Sequence, residues 1–255
     1  MKKFIDFELY KQRKNKFYYL FFLIILISHI VKANQFIHTD MNWMSLPLVS
    51  VPDTVLFLVL FVIYISSDLT AIEYEKGLIK LPIMVNGDRK NLIKAKILTI
   101  IMWLIALVIF DIISSFLVGK IMLNDGTVLI SDGKAILLGG VKLEGIRAFV
   151  SVFFSEISII LPLICLAMIN VYGGLFLKNA SSVMGMGFLY YILSLIGPEK
   201  LKYLFLVRHV YKIPSLLIKG EFGIELSLYI AISLIGILIL YFVNISYFKR
   251  VEILK

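Results

Sequence analysis

Residues 51–67, VPDTVLFLVLFVIYISS, run straight into 68–96, DLTAIEYEKGLIKLPIMVNGDRKNLIKAK, and then into 97–119, ILTIIMWLIALVIFDIISSFLVG. An apolar block, a charged segment and a second apolar block read as two membrane crossings joined by a connector that faces water. A helix rises about 1.5 Å per residue, so roughly 20 predominantly apolar residues cross about 30 Å of hydrocarbon. Within that layer each backbone polar group must be bonded inside its own segment, which a helix achieves. A transmembrane barrel would need alternating polarity, and these blocks do not alternate.

The same pattern extends over the whole chain. The 255 residues are 60% hydrophobic, with mean hydropathy +0.94, and further apolar blocks lie at 17–31, 148–172, 182–197 and 226–247. Tyr18, Tyr19, Trp43, Tyr64 and Tyr247 flank them as interfacial aromatics do. The expected fold is an all-α membrane protein with six transmembrane helices and both termini on one side. Charge continues to Lys16 with no small-residue cleavage site after the first block, so that block reads as a retained span rather than a signal peptide.

Net charge is +9, and the charges gather between blocks and at the ends, which fits headgroups and topology rather than nucleic acid. With the N-terminus inside, 16 of the 26 Lys and Arg face the cytoplasm. Five of the remaining ten sit in 198–225, against the rule, while the two basic segments nearest the first span agree with it. The termini are therefore expected in the cytoplasm. No connector is long enough to fold alone, so 1–255 is expected to be one membrane domain. Its parts are an interfacial arm at 1–16, a cytoplasmic segment at 68–96, an outer loop at 120–147 and an outer segment at 198–225. In the last, Tyr203–Val207 and Ile213–Ile218 are too short to span and suit helices that dip into the outer interface. Residues 124–138 read as a small hairpin-like insert or an irregular loop.

The 68–96 segment carries ten charged side chains of both signs, yet keeps Ile72, Leu78, Ile79 and Ile83 at helical spacing. A bare tether needs no such pattern. An amphipathic helix with Glu73 and Glu75 at its start suits docking on a protein surface or on headgroups.

Glu73, Glu75 and Gly77, followed by Pro82, Arg89 and Lys96, resemble the first cytoplasmic loop of type 2 ABC exporter permeases. The resemblance covers about Lys3 to Lys249 and includes the charged arm, the short connector at 173–182 and the outer segment before the last block. Leu78 stands where that family commonly has Thr. The resemblance implies a coupling helix over Glu73–Leu81 resting on an ABC ATPase, with Lys178 in a second contact and re-entrant helices before span six. It implies two permease copies, identical or homologous, and two ATPases that carry ATP and Mg. The small chain resembles permeases that export peptides, bacteriocins or lipid-like drugs, sometimes for self-immunity. A non-transporting immunity, sensor or assembly protein is the alternative. Ile, Lys, Phe and Asn usage fits an AT-rich bacterial genome, hence a bacterial plasma membrane.

Other chemistry is not supported. No nucleotide loop is present: 126–135 has the wrong spacing and lacks the Ser or Thr. Cys165 is the lone cysteine and reads as a small buried hydrophobe, so it offers neither disulfide nor metal site. His29, His38 and His209 map to the outer side and read as interfacial or loop residues. No cofactor is expected on this chain. Asp111 and Glu156 lie at matched depth within spans three and four. An unpaired acid there costs on the order of 3 kcal/mol, so the two are expected either to share a polar pocket lining the pathway, at least one protonated, or to bond separately.

Overall fold

The structure, a computed structural model, describes residues 2–38, 41–80, 89–125, 130–131, 134–135, 137–138 and 141–250. Helix α1 (Lys2–Arg13) is the arm. It turns at Asn15, whose side chain accepts the Phe17 N–H and caps α2 (Lys16–Phe36). A single turn at Trp43–Ser45 leads into α3 (Leu46–Ser67), followed by α4 (Arg89–Met122), α5 (Gly145–Ile157) and α6 (Ile160–Leu177). Then come α7 (Ala180–Ile196), α8 (Leu206–Lys219) and α9 (Ile224–Arg250).

Among the described residues five rods are long and apolar enough to cross a membrane: Lys16–Phe36, Trp43–Glu75, Arg89–Met122, Gly145–Leu177 and Ile224–Arg250. The sixth expected span is α7, an apolar helix of 17 residues, about 25 Å long and shorter than the other five. It starts at Ala180, beside Glu75. Its other end lies beside the segment that opens α8, where Tyr190 Oη donates to the Leu204 carbonyl at 2.7 Å.

The fourth rod is not one continuous helix. Pro162 has no N–H and its ring crowds the carbonyl of Ser158, so the rod breaks between α5 and α6. The Ser158 N–H turns back to Phe154 and Ser155, and the Ile159 N–H bonds to Glu156.

Helix α6 lies at the centre, packed on α3, α4, α8 and α9. Lipid removes most of the hydrophobic drive between helices, so close backbone approach and buried polar bonds hold the bundle. A Cβ on Gly187 would meet Ile63 and Asn170, and one on Gly174 would run into Thr70. Gly185, by contrast, faces open space. Asn244 of α9 donates to the Met168 carbonyl at 3.1 Å, and Ser155 of α5 to the Pro214 carbonyl at 2.8 Å. Helices α2 and α9 leave most of their apolar surface uncovered.

The arm packs on α4 through Phe4, Glu8 and Gln12, one residue per turn. An apolar stripe through Phe4, Phe7 and Tyr10 is not the packed face: Phe7 and Tyr10 are exposed. In the 198–225 segment, Arg208 Nε donates to the Ser194 carbonyl at 2.7 Å and its guanidinium also reaches the Gly197 carbonyl. Buried His209 bonds Ser233 and the Tyr203 carbonyl, both at 3.0 Å, and burial pushes its imidazole down to about 4. Helix α8 thereby packs among α5, α6, α7 and α9. Between α4 and α5, Ile130–Ser131 pairs antiparallel with Lys134–Ala135, and Leu137–Leu138 with Val141–Lys142.

Candidate functional site

The end of α3 forms one corner of the bundle. Past Ser67 the chain does not leave the helix; it widens into a π turn over Asp68–Ile72 and regains α geometry at Glu73–Glu75. A π turn inserts one residue into the ladder and rotates the residues beyond it. It is seated against the glycine face of α6, where Gly174 leaves room for Thr70. Helical backbone then stops at Glu75, because Gly77 takes φ +67° and its N–H turns back to the Tyr74 carbonyl. Of the amphipathic helix expected over Glu73–Leu81, the described residues up to Lys80 show the last turn of a long rod followed by a glycine turn, and Leu81 lies outside them. Pro82 lies outside the described residues.

The two acids of this turn point opposite ways. Glu73 is buried, and its carboxylate pairs with Lys96 of α4 and Lys11 of α1. Lys96 also reaches Glu8 at 2.7 Å, and Glu8 holds Lys11 at 3.0 Å. Two carboxylates and two ammoniums therefore balance in a largely buried pocket between arm, π turn and α4. Burial pushes the Glu8 carboxyl up, but Lys96 and Lys11 outweigh it and hold it below the usual range. Burial and Lys96 together push Lys11 down, against the pull of Glu8. Nearby, Tyr18 donates to Asp68 at 2.8 Å and Asn15 to Tyr64 at 2.9 Å, clipping the α1–α2 hinge to α3.

Glu75 faces out and accepts the Ala180 N–H at 3.2 Å, placing a carboxylate at the positive end of α7. Ser67 donates to the Ala180 carbonyl at 3.5 Å, and Lys178 Nζ lies 5.5 Å from the centre of the Tyr74 ring. Lys178 holds φ +54° as it ends α6. Arg89, at the start of α4, is near enough for its charge to act on Tyr74. The exposed stretches Glu75–Leu78 and Phe176–Asn179 consequently form one continuous surface.

The sequence points to Glu73, Glu75, Gly77, Arg89, Lys96 and Lys178 in this region, and the structure brings them to one corner. Glu73 and Lys96 are inside it rather than on its surface. Sequence reasoning misses Glu8 and Lys11; their signal is two opposite charges at i and i+3 on the arm, facing two spare charges just past the end of α3 and near the start of α4.

The second cluster lies within the spans. Asp111 of α4 is buried and its partner is His29 of α2, Nε2 to Oδ1 2.9 Å. Glu156 of α5 is buried near enough for the charge of Asp111 to act on it. His29, which reads from sequence as interfacial, is the hydrogen-bond partner of Asp111, and Glu156 lies within reach of the same charge. Among the described residues no group of His, Cys, Asp and Glu forms a metal site.

A multi-pass helical membrane protein with two of its connectors drawn into one corner is the class these features define. The family model of ABC-2 family transporter proteins matches residues 4–192, from the arm through most of α7. The chain belongs to that family and is the permease component of an ABC transporter, working with a separate ABC ATPase. No curated protein matches it.

Proposed function

We propose that the chain exports an amphipathic substrate, a peptide, bacteriocin or lipid-like drug, from the cytoplasm or inner leaflet of a bacterial plasma membrane. It works as a homodimer or with a paired homologue, and the partner ATPases carry ATP and Mg. It crosses six times with both termini cytoplasmic; α7 supports this count, since it runs from the Glu75 corner to the opposite end of the bundle. Helix α8 is the re-entrant piece.

The observation that carries this reading is the joined surface of Glu75–Leu78 and Phe176–Asn179. Two connectors far apart in sequence share a carboxylate–helix contact and a cation–aromatic contact at the bundle's end. A rigid body docked there moves α3, α6 and α7 together, and the Glu8–Lys11–Glu73–Lys96 pocket adds α1 and α4. The bundle thus switches between two packed states, as a nucleotide-driven push requires. Asp111 and Glu156 line the pathway.

ATP turnover by the purified permease–ATPase complex tests the reading. Glu75→Lys places a like charge at the α7 N-terminus and is expected to lower turnover at least tenfold while the chain still reaches the membrane. Unchanged turnover and unchanged complex would overturn it.

A further inference from the structure

His29, Asp111 and Glu156 come from three helices and are 1%, 5% and 2% exposed. His29 Nε2 and Asp111 Oδ1 share a hydrogen bond of 2.9 Å, and Glu156 lies near enough for the charge of Asp111 to act on it. Glu156 Oε1 and His29 Nδ1 are buried without a partner. Of the cations on the same helices, Lys96 pairs with Glu8 and Glu73, Lys32 with Asp53 at 2.8 Å and Lys120 with Asp125, and Arg147 is exposed at the far end of α5. Among the other titratable groups on the elements packed around the cluster are Asp53 on α3, Cys165 on α6, and His209 and Tyr211 on α8. None of these is ion-paired to it.

Two ionised carboxylates beside a neutral imidazole would leave net negative charge in a low-dielectric interior, which is strongly disfavoured. The closed cluster must therefore hold a compensating proton, and a cation of the right size could take that proton's place. We propose that His29, Asp111 and Glu156 form the subsite for the cationic group of the transported amphipath, which binds by displacing a proton. The proposal rests on the permease reading above and specifies its substrate class. In the exchange, an O–H bond of the Glu156–Asp111 pair breaks and the proton passes to water. The carboxylate so formed pairs with the incoming cation, and the cluster's net charge is unchanged. One proton out for one monovalent cation in makes apparent affinity weaken about tenfold per unit of falling pH, below the cluster's own titration point.

The test uses the full chain in nanodiscs of phosphatidylethanolamine and phosphatidylglycerol, with tetraphenylphosphonium as probe and triphenylphosphine oxide as the uncharged comparison. Calorimetry reads binding, a pH dye reads proton release, and infrared difference spectra read the carbonyl band of a protonated carboxylic acid. Expected are saturable binding of the cation alone, one proton released per cation, and loss of the carboxylic acid band on binding. The band and the pH dependence should vanish in Glu156→Gln; Asp111→Asn serves as the second variant should the first fail to fold. Absence of saturable binding, binding without proton release, or wild-type pH dependence in a folded variant would each overturn the proposal. No ATPase enters this measurement, so its failure leaves the coupling reading to stand or fall on ATP turnover.

Discussion

Lys96 Nζ of α4 lies 2.7 Å from Glu8 Oε1 of the arm, and both side chains are fully buried. With Glu73 and Lys11 they make a neutral set of four. A balanced buried set of this kind is sensitive to loss of any one member, because the survivors stay desolvated without compensation.

Lys96→Met should therefore cost about 3–5 kcal/mol, since it leaves Glu8 and Glu73 facing only Lys11. Lys11→Met should cost less, because Lys11 is about one-third exposed and water screens the carboxylates it leaves behind. Thermal unfolding in detergent checks the order of the two variants.

Two pH windows arise at opposite ends of the molecule. The folded Glu8 carboxyl titrates below its ordinary 4.5, so its contribution is complete above 4.5 and is lost as pH falls through the lowered folded value. Folded His209 titrates near 4 against an ordinary 6.5. The unfolded chain then takes up that proton first, and stability is lost as pH falls from about 6.5 towards 4. His209→Gln should flatten the melting temperature across this second window and leave the first intact.

Gly174→Ala puts a methyl group into the side chain of Thr70 and 3.3 Å from the Ala71 nitrogen. The π turn must move, at a cost of about 1–3 kcal/mol. Thr70→Gly in the same chain should recover part of that loss. A double-mutant cycle on thermal stability reads the coupling.

How far the sequence foretells this structure differs by element. The long rods follow from bilayer thickness acting on local composition, so the blocks around Phe61, Leu107 and Ile237 are legible. The break before Ile160 is written in Pro162, though the apolar block runs unbroken across it. The π turn is not legible, because Thr70 and Gly174 meet only once α3 and α6 are packed. Glu73 reads as a surface acid because its partners Lys11 and Lys96, and Glu8 beyond them, are scattered along the chain, with Glu8 and Lys96 88 residues apart. His29 likewise meets Asp111 across 82 residues. Local patterns give the helices, while polar partners depend on a register that composition does not encode.

Lys178→Gly relieves a left-handed non-glycine residue and should raise stability by up to about 1 kcal/mol. It also removes the ammonium above Tyr74. Higher stability with lower ATP turnover in the complex is the expected combination, and only a coupling role for this corner gives both.

The central claim is that Glu75–Leu78 and Phe176–Asn179 together form the ATPase seat. Lys76→Cys and Asn179→Cys, each in a Cys165→Ser background, can be cross-linked in the assembled complex. Both thiols should join the ATPase subunit and be shielded from cytosolic reagent when it is bound. Thiols that react only from outside the cell, or that stay equally reactive with and without the ATPase, would contradict the account.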